Sequence, residues 1–173
     1  MQYKNVTIVC IFDGDKVLMI KKLRGMEGFG KGIDGHGKDL FNFPGGKCEV
    51  NPDTGAVECF LDCACREARE ETGITPIDPV QVGQLQFVWP AANKVLVCPV
   101  FRADKFSGEL ASCPGESESL WMSVDAIPYD NMWPNDRIWV PYVLSRTSFH
   151  LKVTFPADGQ FIVEELPLDF SIR

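Results

Sequence analysis

Short apolar runs separated by turn-forming residues occupy most of this chain, and each run has the length of a β-strand. Residues 6–12 and 16–21 are joined by Asp13-Gly14-Asp15, which is typical of a two-stranded hairpin. The run 40–44 also reads as extended chain. Further strands are predicted at residues 80–89, 94–106, 119–124, 151–155 and 160–166, with one turn at 90–93 and another through Asp158-Gly159.

Two segments have the pattern of helices. The first ends at Gly73, which stops a helix in the usual way because glycine readily takes the left-handed conformation. The second covers residues 136–145 and begins just after Pro134, with Asn135 or Asp136 as its cap. Strands and helices alternate without a regular strand–helix–strand rhythm. The pattern therefore predicts an α+β protein in which helices flank a mixed sheet.

Length and charge narrow the class of protein. The chain has 173 residues, 45% of them hydrophobic, which suits a single domain over residues 1–173. A net charge of −7 argues against a nucleic acid polymer as partner, because binding a phosphate backbone depends on Lys and Arg. The chain has neither an apolar run of membrane length nor a signal-peptide pattern, so we expect a cytoplasmic protein without a membrane partner.

The cysteines predict thiols, with no disulfide framework. There are seven, an odd number, and none forms a Cys-x-x-Cys pair, which favours reduced and buried side chains. Cys59 and Cys63 lie four residues apart ahead of Gly73, but the two histidines, His36 and His150, supply no matching zinc spacing.

Three carboxylates crowd one face of the first helix. Glu67, Glu70 and Glu71 occupy positions i, i+3 and i+4, which are neighbours on a helix surface. A hard cation such as Mg²⁺, or Mn²⁺ in its place, offsets the repulsion between these carboxylates. Such a cation commonly links protein carboxylates to substrate phosphates. Taken alone, however, a helix rich in Glu and Arg is more often a solvated face with ion pairs. The residues that precede the helix decide between the two interpretations.

A tight turn, Pro44-Gly45-Gly46-Lys47, comes before the helix, and Glu58 precedes Arg66 with seven residues between them. Together with the segment Arg66-Glu67-Ala68-Arg69-Glu70-Glu71-Thr72-Gly73-Ile74, they resemble the Nudix box, the signature of the Nudix hydrolase family. This resemblance implies an α/β/α sandwich with a mixed β-sheet over essentially the whole chain.

The spacing departs from the family pattern at one place. Eleven residues, where the family has five, separate Gly46 from Glu58, so residues 48–57 include an insertion. Its sequence Asn51-Pro52-Asp53-Thr54-Gly55 reads as a loop. We therefore expect the insertion to bulge outward while the turn and the helix keep their relation.

The likeness extends beyond the box. Within the Nudix family the chain is similar to the oxidised purine nucleoside triphosphate hydrolases over most of its length. The matching stretches are Gly28-Phe29-Gly30, Asn42 five residues before Lys47, Val82-Gly83-Gln84, Asp125-Ala126-Ile127-Pro128 leading into Met132-Trp133-Pro134, and Ser148-Phe149-His150.

The segment around Trp133 has two interpretations. Pro134 before a capped helix start explains much of it without any ligand. Alternatively, Trp133 stacks on a base whose edge is bonded by the polar residues that follow. The resemblance implies the second interpretation, with a base pocket lined by Thr7, Phe29, Asn42, Phe87, Trp133, Asn135 and Asp136.

The resemblance also implies a metal site and a reaction. Water attacks a phosphorus of a nucleoside diphosphate derivative, in this case the α-phosphorus, and gives monophosphate and pyrophosphate. Either Glu70 or Glu71 serves as general base, Arg66 orients the carboxylates, and Lys47 touches phosphate or pairs with Glu58. The implied metal ligands are the Gly45 carbonyl, Glu67, Glu71 and Glu116.

Other functions remain open at this stage. The same helix would serve a Nudix hydrolase acting on ADP-ribose, dinucleoside polyphosphates or capped RNA, but the pocket match argues against it. A nucleotide-binding module without catalysis would be free to lose its box carboxylates, and all are present. A thiol-dependent enzyme lacks any Cys–His pairing signal. We expect a monomer that hydrolyses oxidised purine nucleoside triphosphates.

One departure from the resemblance predicts substrate preference. The related enzymes have two adjacent aspartates at the base, which can share a proton and so present a donor or an acceptor. Asn135 offers only a fixed carbonyl and a fixed amide. We therefore expect a narrower base preference, measured as kcat/KM for 8-oxo-dGTP, 2-hydroxy-dATP and O6-methyl-dGTP. Similar values for all three would contradict it.

Overall fold

The computed structural model describes residues 1–23, 39–157 and 159–168. Within these ranges the chain forms a nine-stranded sheet, a separate pair of strands and two α-helices. The strands are β1 (Gln2–Asn5), β2 (Ile8–Asp13), β3 (Lys16–Lys22), β4 (Phe41–Asn42), β5 (Ile74–Pro76), β6 (Val80–Trp89), β7 (Lys94–Ala103), β8 (Phe106–Gly108), β9 (Ser117–Ser123), β10 (Phe149–Thr154) and β11 (Ile162–Glu165), and the helices are α1 (Phe60–Thr72) and α2 (Asp136–Leu144).

The central sheet is mixed, as predicted. Its order is β11-β10-β6-β7-β2-β3-β4, with β1 beside β7 and β9 beside β3. Strands β1 and β2 both run parallel to β7, and β10 runs parallel to β6. The predicted hairpin is the antiparallel pair β2 and β3. Another predicted pairing, between the last two runs of the chain, is the antiparallel pair β10 and β11; residue 158 of its connection lies outside the described residues.

The two helices cover opposite faces of this sheet. Along β2, Val9 and Ile11 pack in the cluster that contains Ala64 and Ala68 of α1. The alternate residues, Cys10 and Phe12, pack with residues of α2 instead. Because successive side chains of a strand point to opposite faces, this alternation separates an α1 layer from an α2 layer. The α/β/α sandwich is therefore confirmed.

Two strand predictions need correction. Residues 2–5 were not predicted as a strand, but they pair with Lys94 to Val97 and extend the line of β2. The predicted strand 94–106 is two strands, because the chain leaves the sheet after Ala103 and β8 pairs with β5.

The structure also bears on the predictions about the cysteines and about membrane-spanning segments. All seven cysteines are free, but only Cys10, Cys63 and Cys98 are buried, so the expectation of burial holds for three of them. Neither helix in the described ranges is long and apolar enough to cross a membrane.

An ion-pair network at the end of β7 is expected to stabilise the folded state. Asp104 accepts hydrogen bonds from buried Arg102 at 2.7 Å and from Arg146 at 2.9 Å. We expect Asp104→Asn to lower the free energy of unfolding by about 1–2 kcal/mol, because hydrogen bonds to charged groups are lost beside a buried guanidinium. Urea unfolding would measure this change. The control is Asp130→Asn, which breaks an exposed pair with Arg137 and should change stability by less than about 0.5 kcal/mol; equal effects would contradict the prediction.

Candidate active site

The glycine turn is held against the gap between β1 and β2. The Thr7 N–H donates to the Gly46 carbonyl at 2.8 Å, and the Val9 N–H donates to the Pro44 carbonyl at 2.9 Å. Gly45 has φ 153°, and a Cβ there would lie 2.1 Å from the Thr7 carbonyl oxygen. Only glycine fits such a backbone at this distance.

The next glycine brings helix α1 to the same turn. A Cβ on Gly46 would lie 2.4 Å from the carboxyl carbon of Glu67. The helix is fixed from its other side, where Ala64 and Ala68 are fully buried against the sheet. Gly73, at φ 73°, ends the helix as predicted, with its N–H bonded to the Arg69 carbonyl. The glycine turn and the carboxylate face therefore meet without an intervening side chain.

The three carboxylates of α1 have different surroundings. Glu71 accepts hydrogen bonds from the Gly45 N–H at 3.0 Å and from the Lys22 ammonium at 2.5 Å. Burial raises the pKa of Glu67, and the charge of Glu71 adds to this effect while Arg66 opposes it. Glu70 is 55% exposed and pairs with Arg66 at 3.1 Å. Glu67 and Glu71 thus face the turn, whereas Glu70 faces outward.

Arg66 connects these carboxylates to the segment that follows the turn. It binds both carboxylate oxygens of Glu58, at 3.0 and 2.9 Å, and these bonds hold the pKa of Glu58 below its ordinary value. The same guanidinium reaches Glu67 at 3.1 Å and the Lys47 carbonyl at 3.0 Å. Arg66 therefore orients Glu67 relative to the turn, and Glu58 is engaged by Arg66.

The insertion closes on itself beside this network. Val50 and Val57 form an antiparallel bridge, and the Glu58 N–H donates to the Glu49 carbonyl at 2.8 Å. Residues 49–57 are exposed. The extra residues thus protrude while the turn and helix stay together, as the sequence suggested.

A cavity of about 940 Å³ begins at Glu67 and Glu71 and continues to Trp133. Arg66, Glu70 and Glu116 do not line it, and Phe29 lies outside the described residues. Of the residues implied by the resemblance, those that line it are Thr7, Asn42, Gly45, Lys47, Glu67, Glu71, Phe87, Trp133, Asn135 and Asp136.

Glu116 belongs to an exposed loop near the carboxylates. Its backbone carbonyl accepts from the Leu23 N–H at 2.8 Å, beside Lys22, and its carboxylate accepts from the Cys113 thiol at 3.5 Å. Ser119, a few residues on, donates to the backbone carbonyl of Glu71 at 3.1 Å. The loop therefore packs at the end of α1 that carries Glu71.

At the other end of the cavity, Asp136 and Asn135 are both 4% exposed. Asp136 accepts from the Trp139 indole N–H at 2.8 Å and from the backbone N–H of Trp133 at 3.1 Å, and the Asn135 amide lies 3.4 Å away. Burial raises the pKa of Asp136 to about 7, against the lowering effect of these bonds. Asn135 occupies the N-cap position of α2, as predicted, but its side chain makes no capping bond.

Sequence reasoning missed several lining residues. Lys22 ends β3, and only its pairing with Glu71 across the fold gives it a place at the site. Trp89 and Phe155 stack with ring centroids 4.9 Å apart, and Phe161 follows Phe155 at 6.2 Å. In the sequence, these aromatic residues stand out only because they lie at or next to the ends of predicted strands. Trp89 and Phe155 are far apart in sequence, and the parallel pairing of β6 and β10 brings them together.

The carboxylate end fits a hard divalent cation by its donor chemistry. In the part of the chain that the structure describes, no three His, Cys, Asp or Glu side chains form a complete metal cluster. However, Glu67 and Glu71 both line the cavity beside a backbone turn, and the ion pair of Glu71 with the Lys22 ammonium shows that this carboxylate accepts a positive charge in place. Carboxylate and carbonyl oxygens are the ligands that Mg²⁺ prefers, usually with water and substrate completing the shell.

Comparison with known proteins agrees with this architecture. A profile of the NUDIX domain matches residues 1–143, and the chain belongs to the Nudix family. The oxidized purine nucleoside triphosphate hydrolase of Danio rerio is 31% identical over 169 residues, which cover 96% of this chain and 94% of that protein. The protein of the same name from Mus musculus is 30% identical over 172 residues, covering 96% and 92%. The crystal structure of a MutT protein from Bacillus halodurans has the same fold, with a TM-score of 0.71 at 23% identity, covering 96% of this chain and 99% of that one.

The raised pKa of Asp136 predicts a pH dependence of stability. The folded state holds this proton up to about pH 7, whereas an ordinary aspartate with a pKa of 3.8 loses it far earlier. The folded state therefore binds more protons than the unfolded state between these values, and this contribution to stability falls as pH rises from about 4 to about 7. Asp136→Asn removes it.

Urea unfolding of both proteins from pH 4 to pH 8 measures the effect. The difference between wild type and Asp136→Asn isolates Asp136 from carboxylates such as Glu58, whose lowered pKa gives the opposite slope. A constant difference across this range would contradict the prediction.

Proposed function

We propose that this Nudix hydrolase is Mg²⁺-dependent and converts oxidised or otherwise modified purine nucleoside triphosphates, of the 8-oxo-dGTP or 2-hydroxy-dATP type, to monophosphate and pyrophosphate. The observation that carries the proposal is one cavity lined by the carboxyl groups of Glu67 and Glu71 at one end and by a buried carboxyl beside a tryptophan at the other. The names of the zebrafish and mouse relatives support the substrate class.

The purine would lie at the Trp133 end. The indole ring of Trp133 offers a stacking surface, and base–aromatic stacking contributes about 1–3 kcal/mol. Asp136 has a pKa near neutrality, so it can donate a hydrogen bond when protonated and accept one when ionised. Asn135 adds a fixed donor and acceptor, and an oxidised purine differs from a normal one in this kind of edge pattern. The base would thus be read by hydrogen bonds in a buried site.

The phosphates would lie at the carboxylate end. Glu67, Glu71 and the Gly45 carbonyl would hold Mg²⁺, which, when bound, neutralises phosphate oxygens and lowers the pKa of bound water. Lys22 and Lys47 line the same part of the cavity and supply positive charge for phosphate oxygens. Arg66 keeps Glu67 in place through its bond to Glu58.

Glu71 is the better candidate for general base. Its carboxylate lines the cavity, whereas Glu70 is directed outward to Arg66. A base must come within hydrogen-bond reach of the attacking water, directly or through one further water. Phosphoryl transfer otherwise depends on positioning and charge neutralisation, so no nucleophilic side chain is required.

One subunit with one domain is enough to form the proposed site. A single chain supplies both ends of the cavity, and the central sheet includes strands from β1 to β11. We therefore propose a monomer that acts on free nucleotides in the cytoplasm.

The direct test is product identification. The protein is incubated with Mg²⁺ and normal or oxidised purine nucleoside triphosphates, ADP-ribose or a dinucleoside polyphosphate, and products are identified by mass. Monophosphate and pyrophosphate from an oxidised purine triphosphate are expected at the highest kcat/KM. Preferred hydrolysis of ADP-ribose or a dinucleoside polyphosphate would replace the proposed substrate class, and no hydrolysis in Mg²⁺ or Mn²⁺ would indicate a binding module.

Substitution of Glu71 tests its role. Glu71→Gln should lower kcat at least about 10²-fold, because a metal ligand or general base is lost. Its folding should persist, since an amide oxygen can still accept from the Gly45 N–H. Steady-state kinetics with saturating Mg²⁺, together with circular dichroism, make the measurement.

Two controls accompany this variant. Asp62→Asn changes an exposed acidic residue of the same helix and should leave kcat unchanged. Glu70→Gln should cost less than Glu71→Gln if Glu71 is the base. Unchanged turnover in Glu71→Gln would refute its assignment.

A further inference from the structure

Two thiols lie opposite each other where the insertion leaves the glycine turn. The Cys48 N–H donates to the Asn5 carbonyl at 3.0 Å, and the Gly46 carbonyl accepts from the Thr7 N–H. Residues 46–48 therefore extend along residues 5–7 in the manner of a strand. In extended chain, positions two residues apart face the same side.

That side faces helix α1. The side-chain direction at Gly46 points at the Glu67 carboxylate, since a Cβ there would lie 2.4 Å from its carboxyl carbon. Cys48 lies two residues further along the extended segment, and Cys63 lies four residues before Glu67 on the same helix face. Cys48 and Cys63 are consequently apposed, and their interaction raises the pKa of the Cys48 thiol and lowers the pKa of the Cys63 thiol.

The surroundings hold this pair in place. The Cys63 sulfur accepts from the Thr7 hydroxyl at 3.5 Å and lies 3.9 Å from the Gly46 carbonyl oxygen. Arg66 donates to the Lys47 carbonyl, which ties the residue before Cys48 to the helix. Cys63 is fully buried and Cys48 is partly exposed, so a small oxidant in solvent reaches the pair from the side of Cys48.

We propose that Cys48 and Cys63 form a reversible disulfide when the protein meets a peroxide, and that this bond alters the metal site. The inference does not depend on the identity of the nucleotide substrate. The two cysteines would then form a modification site that links the first residue of the insertion, Cys48, to helix α1.

The chemistry balances with hydrogen peroxide as oxidant. The peroxide transfers one oxygen to one of the two sulfurs, giving a sulfenic acid and one water. The other sulfur then attacks the oxidised sulfur, the S–O bond breaks, and the oxygen leaves as a second water with the proton of the attacking thiol. Two thiols lose two electrons in total, and the O–O bond of the peroxide is reduced to two waters. A dithiol such as dithiothreitol reverses the bond by exchange.

The disulfide would change the metal site because both cysteines are only a few residues from the candidate metal ligands. A disulfide holds its sulfurs about 2.05 Å apart, closer than any non-bonded thiol contact. Cys48 follows Gly45 by three residues, and Cys63 precedes Glu67 by one helical turn. Drawing the two sulfurs together therefore shifts the glycine turn relative to Glu67, and the two candidate ligand elements change their spacing.

The test oxidises the whole protein with hydrogen peroxide, blocks the remaining thiols, and identifies the linked peptides by mass spectrometry without reduction. We expect a peptide pair containing Cys48 and Cys63, lighter than the free pair by about 2 Da for two hydrogens. The pair should disappear after dithiothreitol. Absence of this link, or Cys63 joined to Cys98 or Cys59 in its place, would overturn the assignment.

Metal binding is then measured independently of catalytic activity. Mn²⁺ binding, followed by electron paramagnetic resonance of the free ion, should weaken at least several-fold on oxidation and recover after reduction. In Cys48→Ser the peroxide should have no such effect, whereas the matched control Cys65→Ser, on the same helix, should respond like wild type. Unchanged Mn²⁺ affinity in a fully cross-linked protein would refute the coupling. Failure of nucleotide hydrolysis would affect the proposed function without changing either readout.

Discussion

The close approach of the Gly45-Gly46 turn to both Thr7 and Glu67 is the constraint on which the site depends. Backbone atoms of the turn contact β-sheet backbone on one side and a helix carboxylate on the other, at distances that leave no room for a Cβ. This approach leaves no side chain between the turn and α1. It also explains why β1 and β2 are separate strands, because the chain at Val6 and Thr7 bonds to the turn as well as to the sheet.

Charge is distributed along the cavity in a way that follows from this packing. Glu67 is desolvated against Gly46 and Glu71 pairs with the Lys22 ammonium, so this end gathers carboxyl oxygens that can accept a positive charge. At the far end Asp136, the first residue of α2, is buried, accepts from the Trp133 backbone N–H and the Trp139 indole N–H, and has a pKa near neutrality. In the proposed function, this separation assigns phosphate chemistry and base recognition to different elements.

Much of the fold could be predicted because its signals are local. The β2–β3 hairpin, the end of α1 at Gly73 and the start of α2 after Pro134 follow from turn formers and residue periodicity. The errors fall where non-local pairing overrides local pattern. Residues 2–5 become a strand because β7 is beside them, and the run 94–106 breaks because residues 106–108 pair with β5 as β8.

By itself, the sequence determined the family and the face of α1 that carries the carboxylates, because helical spacing and the glycine turn are written in consecutive residues. Only the tertiary structure decided which carboxylates line the cavity. Glu71 meets Lys22, and Glu70 turns to Arg66 away from the cavity, although both stand side by side on the helix. The tertiary structure likewise decided that Cys48 lies against Cys63 and that Asp136 is buried. These outcomes depend on contacts between residues far apart in sequence, which periodicity does not encode.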